Sequence, residues 1–123
     1  MAEEKKTVLV VDDDAGVVKV VEGLLVDKGF EVLTSYDGLD AMVQVKSHRP
    51  CLIVLDIMMP ELNGYDVCHA LKFDPLYKEI PILLLTSRDQ EIDPRIGQMM
   101  GIHYLQKPLK RETFLAEVDK ILK

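Results

Sequence analysis

Hydrophobic and polar positions alternate between two patterns five times along the chain. Short apolar runs, which read as strands, cover Thr7–Val11, Glu31–Ser35, Cys51–Asp56, Ile82–Thr86 and His103–Gln106. Between and after them, apolar residues recur at helical spacing, predicting helices over Ala15–Lys28, Gly38–His48, Tyr65–Phe73, Pro94–Met100 and Arg111–Leu122. Val17, Val21 and Leu24 share one face of the first, and Phe114, Val118, Ile121 and Leu122 share one face of the last. Gly29 and Gly101 are expected helix stops, Asp93-Pro94 a helix start, and Asn63-Gly64 a turn in which glycine supplies a positive φ.

Strand–helix alternation implies a doubly wound α/β domain: a five-stranded parallel sheet with helices on both faces, of the flavodoxin-like kind. The first, third and fourth strands are continuous apolar runs and suit central positions. Glu31–Ser35 and His103–Gln106 carry polar residues and suit edges. Right-handed crossovers then give the order 2-1-3-4-5, whose topological switch falls between strands one and three. Ligands in such sheets bind beyond the carboxyl ends of the strands at the switch.

The chemistry collects at those ends. Asp12-Asp13-Asp14 follows the first strand, Asp56 ends the third, Thr86 ends the fourth, and Lys107 follows the fifth just before Pro108. A helix start ordinarily attracts phosphate, but fixed carboxylates repel an anion and suit a hard divalent cation such as Mg²⁺. With a hydroxyl and an ammonium on the same rim, the inventory fits phosphoryl chemistry: a nucleophile, a cation site, a neutral donor and a fixed positive charge. Asp14 reads as the cap of the first helix. Asp56 has a second reading as a turn cap ahead of Pro60.

Composition narrows the partners. The chain has 123 residues, enough for one domain, numbered 1–123, that buries roughly two-thirds of its unfolded surface. Its net charge of −6 disfavours direct binding to nucleic acid or anionic membrane. No apolar stretch approaches the roughly 20 residues of a membrane helix, and the first residues lack a signal-peptide core, so a cytoplasmic location is expected. Cys51 and Cys68 form no metal or redox pattern and are expected to be reduced. His48, His69 and His103 read as surface or helix-terminal residues.

Four motifs in order carry a family resemblance: Val10-Val11-Asp12-Asp13-Asp14; Asp56-Ile57-Met58-Met59-Pro60-Glu61-Leu62-Asn63-Gly64; Thr86-Ser87; and Tyr104-Leu105-Gln106-Lys107-Pro108. Across essentially its whole length the chain resembles the receiver domain of two-component response regulators, the single-domain chemotaxis regulator among them. The resemblance implies that Asp56 is the phosphoacceptor, and that Asp13, Asp56 and the Met58 backbone carbonyl bind Mg²⁺ directly, with Asp12 acting through water. It implies that Thr86 and Lys107 contact the phosphoryl oxygens, and that Thr86 and Tyr104 form the switch. Met58 and Arg88 fall at the positions that tune dephosphorylation. The donor would be a histidine kinase or phosphotransfer protein, and the only reactions catalysed would be the chain's own phosphorylation and dephosphorylation. The switching surface would comprise the fourth predicted helix, the fifth strand and the last helix, acting on a downstream protein or on an effector domain outside the chain.

Two competing functions call for different residues. A flavodoxin-like mononucleotide binder needs a Gly/Ser/Thr-rich loop where Asp12-Asp13-Asp14 stands. An aspartyl-phosphate phosphatase of the familiar class has Asp-x-Asp where Asp56-Ile57-Met58 stands. The chain also departs from the receiver pattern: Gly101 precedes Tyr104 by three residues, where four is usual, so the join ahead of the fifth strand is expected to be one residue short.

Overall fold

The computed structural model of the protein describes residues 6–87 and 101–122. Its strands are β1 (Thr7–Val11), β2 (Glu31–Ser35), β3 (Leu52–Asp56), β4 (Ile82–Thr86) and β5 (Ile102–Gln106). They form one sheet in the order β2-β1-β3-β4-β5, every adjacent pair parallel. The described helices are α1 (Ala15–Asp27), α2 (Gly38–His48), α3 (Gly64–Lys72) and α4 (Arg111–Leu122). The helix expected over Pro94–Met100 lies outside the described residues.

Two apolar layers sandwich the sheet. On one face Val8, Val10, Leu52, Val54, Leu83 and Leu85 pack with Val18, Val21 and Leu25 of α1 and Phe114, Leu115 and Val118 of α4. On the other, Leu9, Val11, Ile53, Leu55, Ile82 and Leu84 pack with Ala41 and Val45 of α2 and Val67, Cys68 and Leu71 of α3. Every residue of β3 and β4 is buried, as a strand covered on both sides requires, whereas β2 and β5 at the edges are only partly so.

Three expectations need correction. The buried stripe of α1 is Val18, Val21 and Leu25, with Val17 and Leu24 at its margins. This helix is apolar almost all round, Val20 and Val26 being more than half exposed, so spacing alone did not fix which side turns inward. Cys51 precedes β3, and Ile102 rather than His103 begins β5. Gly64 is not a positive-φ turn residue but the first residue of α3, capped by Asn63 in a reciprocal capping box with Asp66. A Cβ at Gly64 would run into the Asp56 carbonyl oxygen and come within 2.8 Å of Ile57 Cα, so glycine is required by close approach.

The expected stop at Gly29 holds, while the helix that Gly101 is expected to end lies outside the described residues. Gly29, at φ 93°, closes α1 in a Schellman arrangement: Gly29 N–H donates to Val26 O at 2.9 Å and Phe30 N–H to Leu25 O at 3.1 Å. Gly101, at φ 80°, stands directly before β5, and its carbonyl accepts Ile82 N–H at 2.8 Å. The β4–β5 register runs unbroken from Ile82↔Ile102 to Thr86↔Gln106. The pairing of β5, and with it the position of Lys107, is therefore regular. Cys51 and Cys68 are free thiols, and burial pushes Cys68 up to about 12. Among the described residues no helix is long and apolar enough to cross a membrane.

Gly64→Ala is expected to cost about 2 kcal/mol or more, because both nearest obstacles are backbone that cannot rotate away. That corresponds to roughly 6–12 °C of Tm for a domain of this size, read by thermal melting; a change within 1–2 °C, about the size of an ordinary surface effect, would contradict the close approach.

Candidate functional site

β1 and β3 lie side by side and end together, which brings Asp12 and Asp13 beside Asp56. One carboxylate oxygen from each of Asp12, Asp13 and Asp56 lies within 4.8 Å of the others. Asp12 and Asp56 are buried, Asp13 exposed. From the exit of β5, Lys107 reaches across to both buried members: its Nζ lies 3.0 Å from Asp12 Oδ2 and 3.2 Å from Asp56 Oδ1. The backbone holds that reach in place, since Lys107 N–H donates to Thr86 O at 2.7 Å.

The three carboxylates have different roles in this geometry. Asp12 is engaged on both oxygens, Oδ2 by Lys107 and Oδ1 by the Asp14 N–H at 2.9 Å. Asp14 serves as the α1 cap, accepting from Gly16 N–H at 2.8 Å and Val17 N–H at 3.4 Å. Asp13 presents its carboxylate at the exposed lip. Asp56 sits deepest in the electrostatic conflict: burial raises its pKa, Asp12 raises it further, Lys107 pulls it back, Asp13 adds to the rise, and the net direction is up. For Lys107, burial alone would lower the ammonium, but its hydrogen bond to Asp12 and the charges of Asp56 and Asp12 prevail, and its pKa is raised. Lys107 therefore stays charged at neutral pH.

The remaining predicted residues surround this cluster. Thr86 is buried at the end of β4. Tyr104 pairs with Leu84 across β4–β5, so Thr86 stands two residues further along on the same face of the sheet, and Tyr104 packs on the core of that face. Met58 is 65% exposed in the loop after Asp56, whose ends are pinned by Ile57 N–H to Leu85 O at 3.3 Å and Gly64 N–H to Ile57 O at 2.9 Å. In that loop Glu61 takes a left-handed φ of 64°. Arg88 lies outside the described residues. Beside Lys107 a groove of about 600 Å³ runs between α1 and the segment after β5, walled by Val17, Val20, Val21, Pro108 and Leu109.

Sequence reasoning passed over one supporting residue. Ser35, read only as an edge-strand polar, is fully buried at the exit of β2; its carbonyl accepts the Asp12 N–H at 3.2 Å and its hydroxyl donates to Asp40 at 2.7 Å. A polar residue at the strand end next to Asp12 was the available signal.

The set suits a hard cation. Oxygens bound to one Mg²⁺ at about 2.1 Å can stand no more than ~4.2 Å apart, so a cluster spanning 4.8 Å at most needs only a small closure, with water completing the shell.

Comparison with known proteins agrees in sequence and in shape. A family model described as the response regulator receiver domain matches residues 8–119. The alkaline phosphatase synthesis transcriptional regulatory protein PhoP of Bacillus subtilis is 38% identical over 119 residues, covering 96% of this chain and 49% of PhoP. Protein PilG of Pseudomonas aeruginosa is 36% identical over 112 residues, covering 90% of this chain and 83% of PilG. The chain thus spans about half of one relative and most of the other. Among solved structures, a putative response regulator from Chloroflexus aurantiacus superposes with a TM-score of 0.88 at 32% identity, covering 97% of this chain and 98% of that one. The chemotaxis response regulator CheY4 of Vibrio cholerae gives 0.87 at 32% identity, covering 97% and 100%.

Because the Asp56 pKa is raised on folding, its contribution to stability is present below the ordinary value of 3.8 and is lost as pH rises through the folded value. Above the folded value, without metal, the ionised carboxylate is a net cost. Asp56→Asn is expected to raise the metal-free Tm, while Lys107 keeps its bond to Asp12. That advantage should shrink as the pH is lowered through the folded pKa, and melts across a pH series check both signs.

Proposed function

Since the chain belongs to the response regulator receiver domain family, we propose that it is a single receiver module of two-component signalling that accepts a phosphoryl group on Asp56 with Mg²⁺ bound. The observation that carries this reading is Lys107 Nζ bridging Asp12 and Asp56 at 3.0 and 3.2 Å, a fixed cation at a buried carboxylate pair of the strand exits.

Asp56 is the nucleophile: an Oδ attacks the phosphorus of a phosphohistidine, the O–P bond forms as the P–N bond breaks, and the imidazole nitrogen departs with the bonding pair. Asp13, Asp56 and the Met58 carbonyl would hold Mg²⁺, with Asp12 acting through water, and the bound ion would offset negative charge as one anion attacks another. Lys107 supplies a charge already in place, so little rearrangement is needed as charge builds on the phosphoryl oxygens. The acyl phosphate then carries roughly −1.5 to −2 charge and new acceptor oxygens, which recruit the Thr86 hydroxyl and the Lys107 ammonium. Movement of Thr86 along the sheet face vacates space toward Tyr104, converting a local charge change into a surface change.

The donor is a histidine kinase or phosphotransfer protein, for which the groove between α1 and the segment after β5 offers an apolar footing next to Lys107. The output is a downstream protein or an effector domain. The only catalysis is of the module's own phosphorylation and dephosphorylation, and the proposed setting is the cytoplasm. The excess of acid argues against direct contact with nucleic acid or membrane.

Treatment with a small phosphodonor and Mg²⁺ is expected to add one phosphoryl group, seen by intact mass, and to add none to Asp56→Asn or in the presence of EDTA. Asp13→Asn is expected to weaken Mg²⁺ binding on the order of tenfold or more. Asp12→Asn should weaken it less, because Asp12 is already engaged by Lys107 and the Asp14 N–H; equal losses would remove the distinction.

Met58 is apolar and gives an attacking water nothing to bond to, so slow self-dephosphorylation is expected. Met58→Asn should hasten phosphate loss by about tenfold, below the contribution of a full general base. Decay already as fast in the unmodified protein would contradict this.

A further inference from the structure

The first turn of α2 is linked to both loops that carry the acid cluster, to the first through Ser35 and to the second directly. On one side, Ser35 Oγ donates to Asp40 Oδ2 at 2.7 Å, while the Ser35 carbonyl accepts the backbone N–H of Asp12 at 3.2 Å. On the other, Gly38 lies so close to Leu62 that a Cβ there would run into the Leu62 carbonyl oxygen. Leu62 belongs to the loop that leaves Asp56 and ends at Gly64, itself seated on the Asp56 carbonyl. Asp40 is held in turn by the α2 cap, its N–H donating to Asp37 Oδ1 at 2.7 Å.

Ser35 has no accessible surface, so its hydroxyl has no water to turn to, and a bond to an ionised acceptor at 2.7 Å is of the strong, short kind. Alanine would fill the position without needing any partner. The hydroxyl at Ser35 and the carboxylate at Asp40 therefore specify one geometry of β2's exit against α2, and the backbone of Asp12 hangs from that exit.

We propose that Ser35 and Asp40 are positioning residues of the phosphorylation site: their hydrogen bond locks the first turn of α2 as a brace that fixes the Asp12-Asp13 turn relative to Asp56 for cation binding. The inference rests on the Mg²⁺ reading above and adds to it two residues that touch neither cation nor phosphoryl group.

Calorimetric titration with MgCl₂ tests it on the wild-type chain, Ser35→Ala, Asp40→Ala, Asp40→Asn and Ile80→Val. The last is a core truncation in the loop before β4, at the other end of the sheet. Amide exchange at Asp12 is followed in the metal-free proteins. Both alanine variants are expected to weaken Mg²⁺ roughly three- to tenfold, and to speed exchange at Asp12. Asp40→Asn, whose amide oxygen still accepts from Ser35, should stay within about twofold of wild type. Ile80→Val should lower Tm without changing Mg²⁺ affinity.

A purely structural bond would lower Tm in the alanine variants and leave Mg²⁺ affinity and Asp12 exchange where they were, which overturns the brace. Equal loss in Asp40→Asn and Asp40→Ala would replace it with a long-range charge effect, and equal loss in Ile80→Val would reduce it to general stability. If Ser35→Ala does not fold, the exposed Asp40 decides alone. A wild-type chain that binds no Mg²⁺ overturns the reading beneath the brace and the brace with it. Mg²⁺ binding abolished by Asp13→Asn, with both alanine variants silent, overturns the brace only.

Discussion

Carboxylates gathered in one corner repel one another, and at the exits of β1 and β3 that repulsion is met by the Lys107 ammonium. Lys107 lies between Asp12 and Asp56 and is joined through its backbone to Thr86, so three strand ends meet at one residue. The balance is incomplete: burial first, and then the charge of Asp12, raise the pKa of Asp56 beyond what Lys107 offsets. A site with an unmet excess of negative charge is poised to take up a cation, and under the proposed function a cation so held would make the acidic corner approachable by an anionic phosphoryl group. Stability is given up locally where binding is gained.

The sheet makes this possible by geometry alone. β1 and β3 are neighbours although β2 separates them in sequence, and the helices that follow them leave on opposite faces. The crevice between the two exits is therefore covered by neither helix. Full burial of β3 and β4 gives the strand ends a rigid footing, so small distances at the rim are set by the core beneath it rather than by the loops.

Much of this was written in the residue pattern. Strands packed on both faces announce themselves as apolar runs, and a charge that ends such a run has to sit at the rim; Asp12, Asp13 and Asp56 were legible for that reason. The orientation of α1 was not, because a helix apolar around most of its circumference offers several stripes, and only packing chooses Val18, Val21 and Leu25. Asn63-Gly64 misled for a different reason: the same two letters serve a tight turn and a helix start seated on a neighbouring backbone, and only the neighbour distinguishes them. The bond from Ser35 to Asp40 was out of reach as well, since it depends on how β2's exit is pressed against the turn that follows.

Gly64 and Gly38 sit against backbone at the two sides of the loop from Ile57 to Asn63. That loop is on the surface, where chains usually tolerate insertions, yet both of its flanks are occupied and neither can yield. Its length is consequently fixed while the identity of its outward side chains is free, Met58 among them. Under the proposed function, variation in this segment would act as a timer adjusted by substitution alone: the lifetime of the phosphorylated state would be reset by one side chain without the spacing of the machinery beneath it changing.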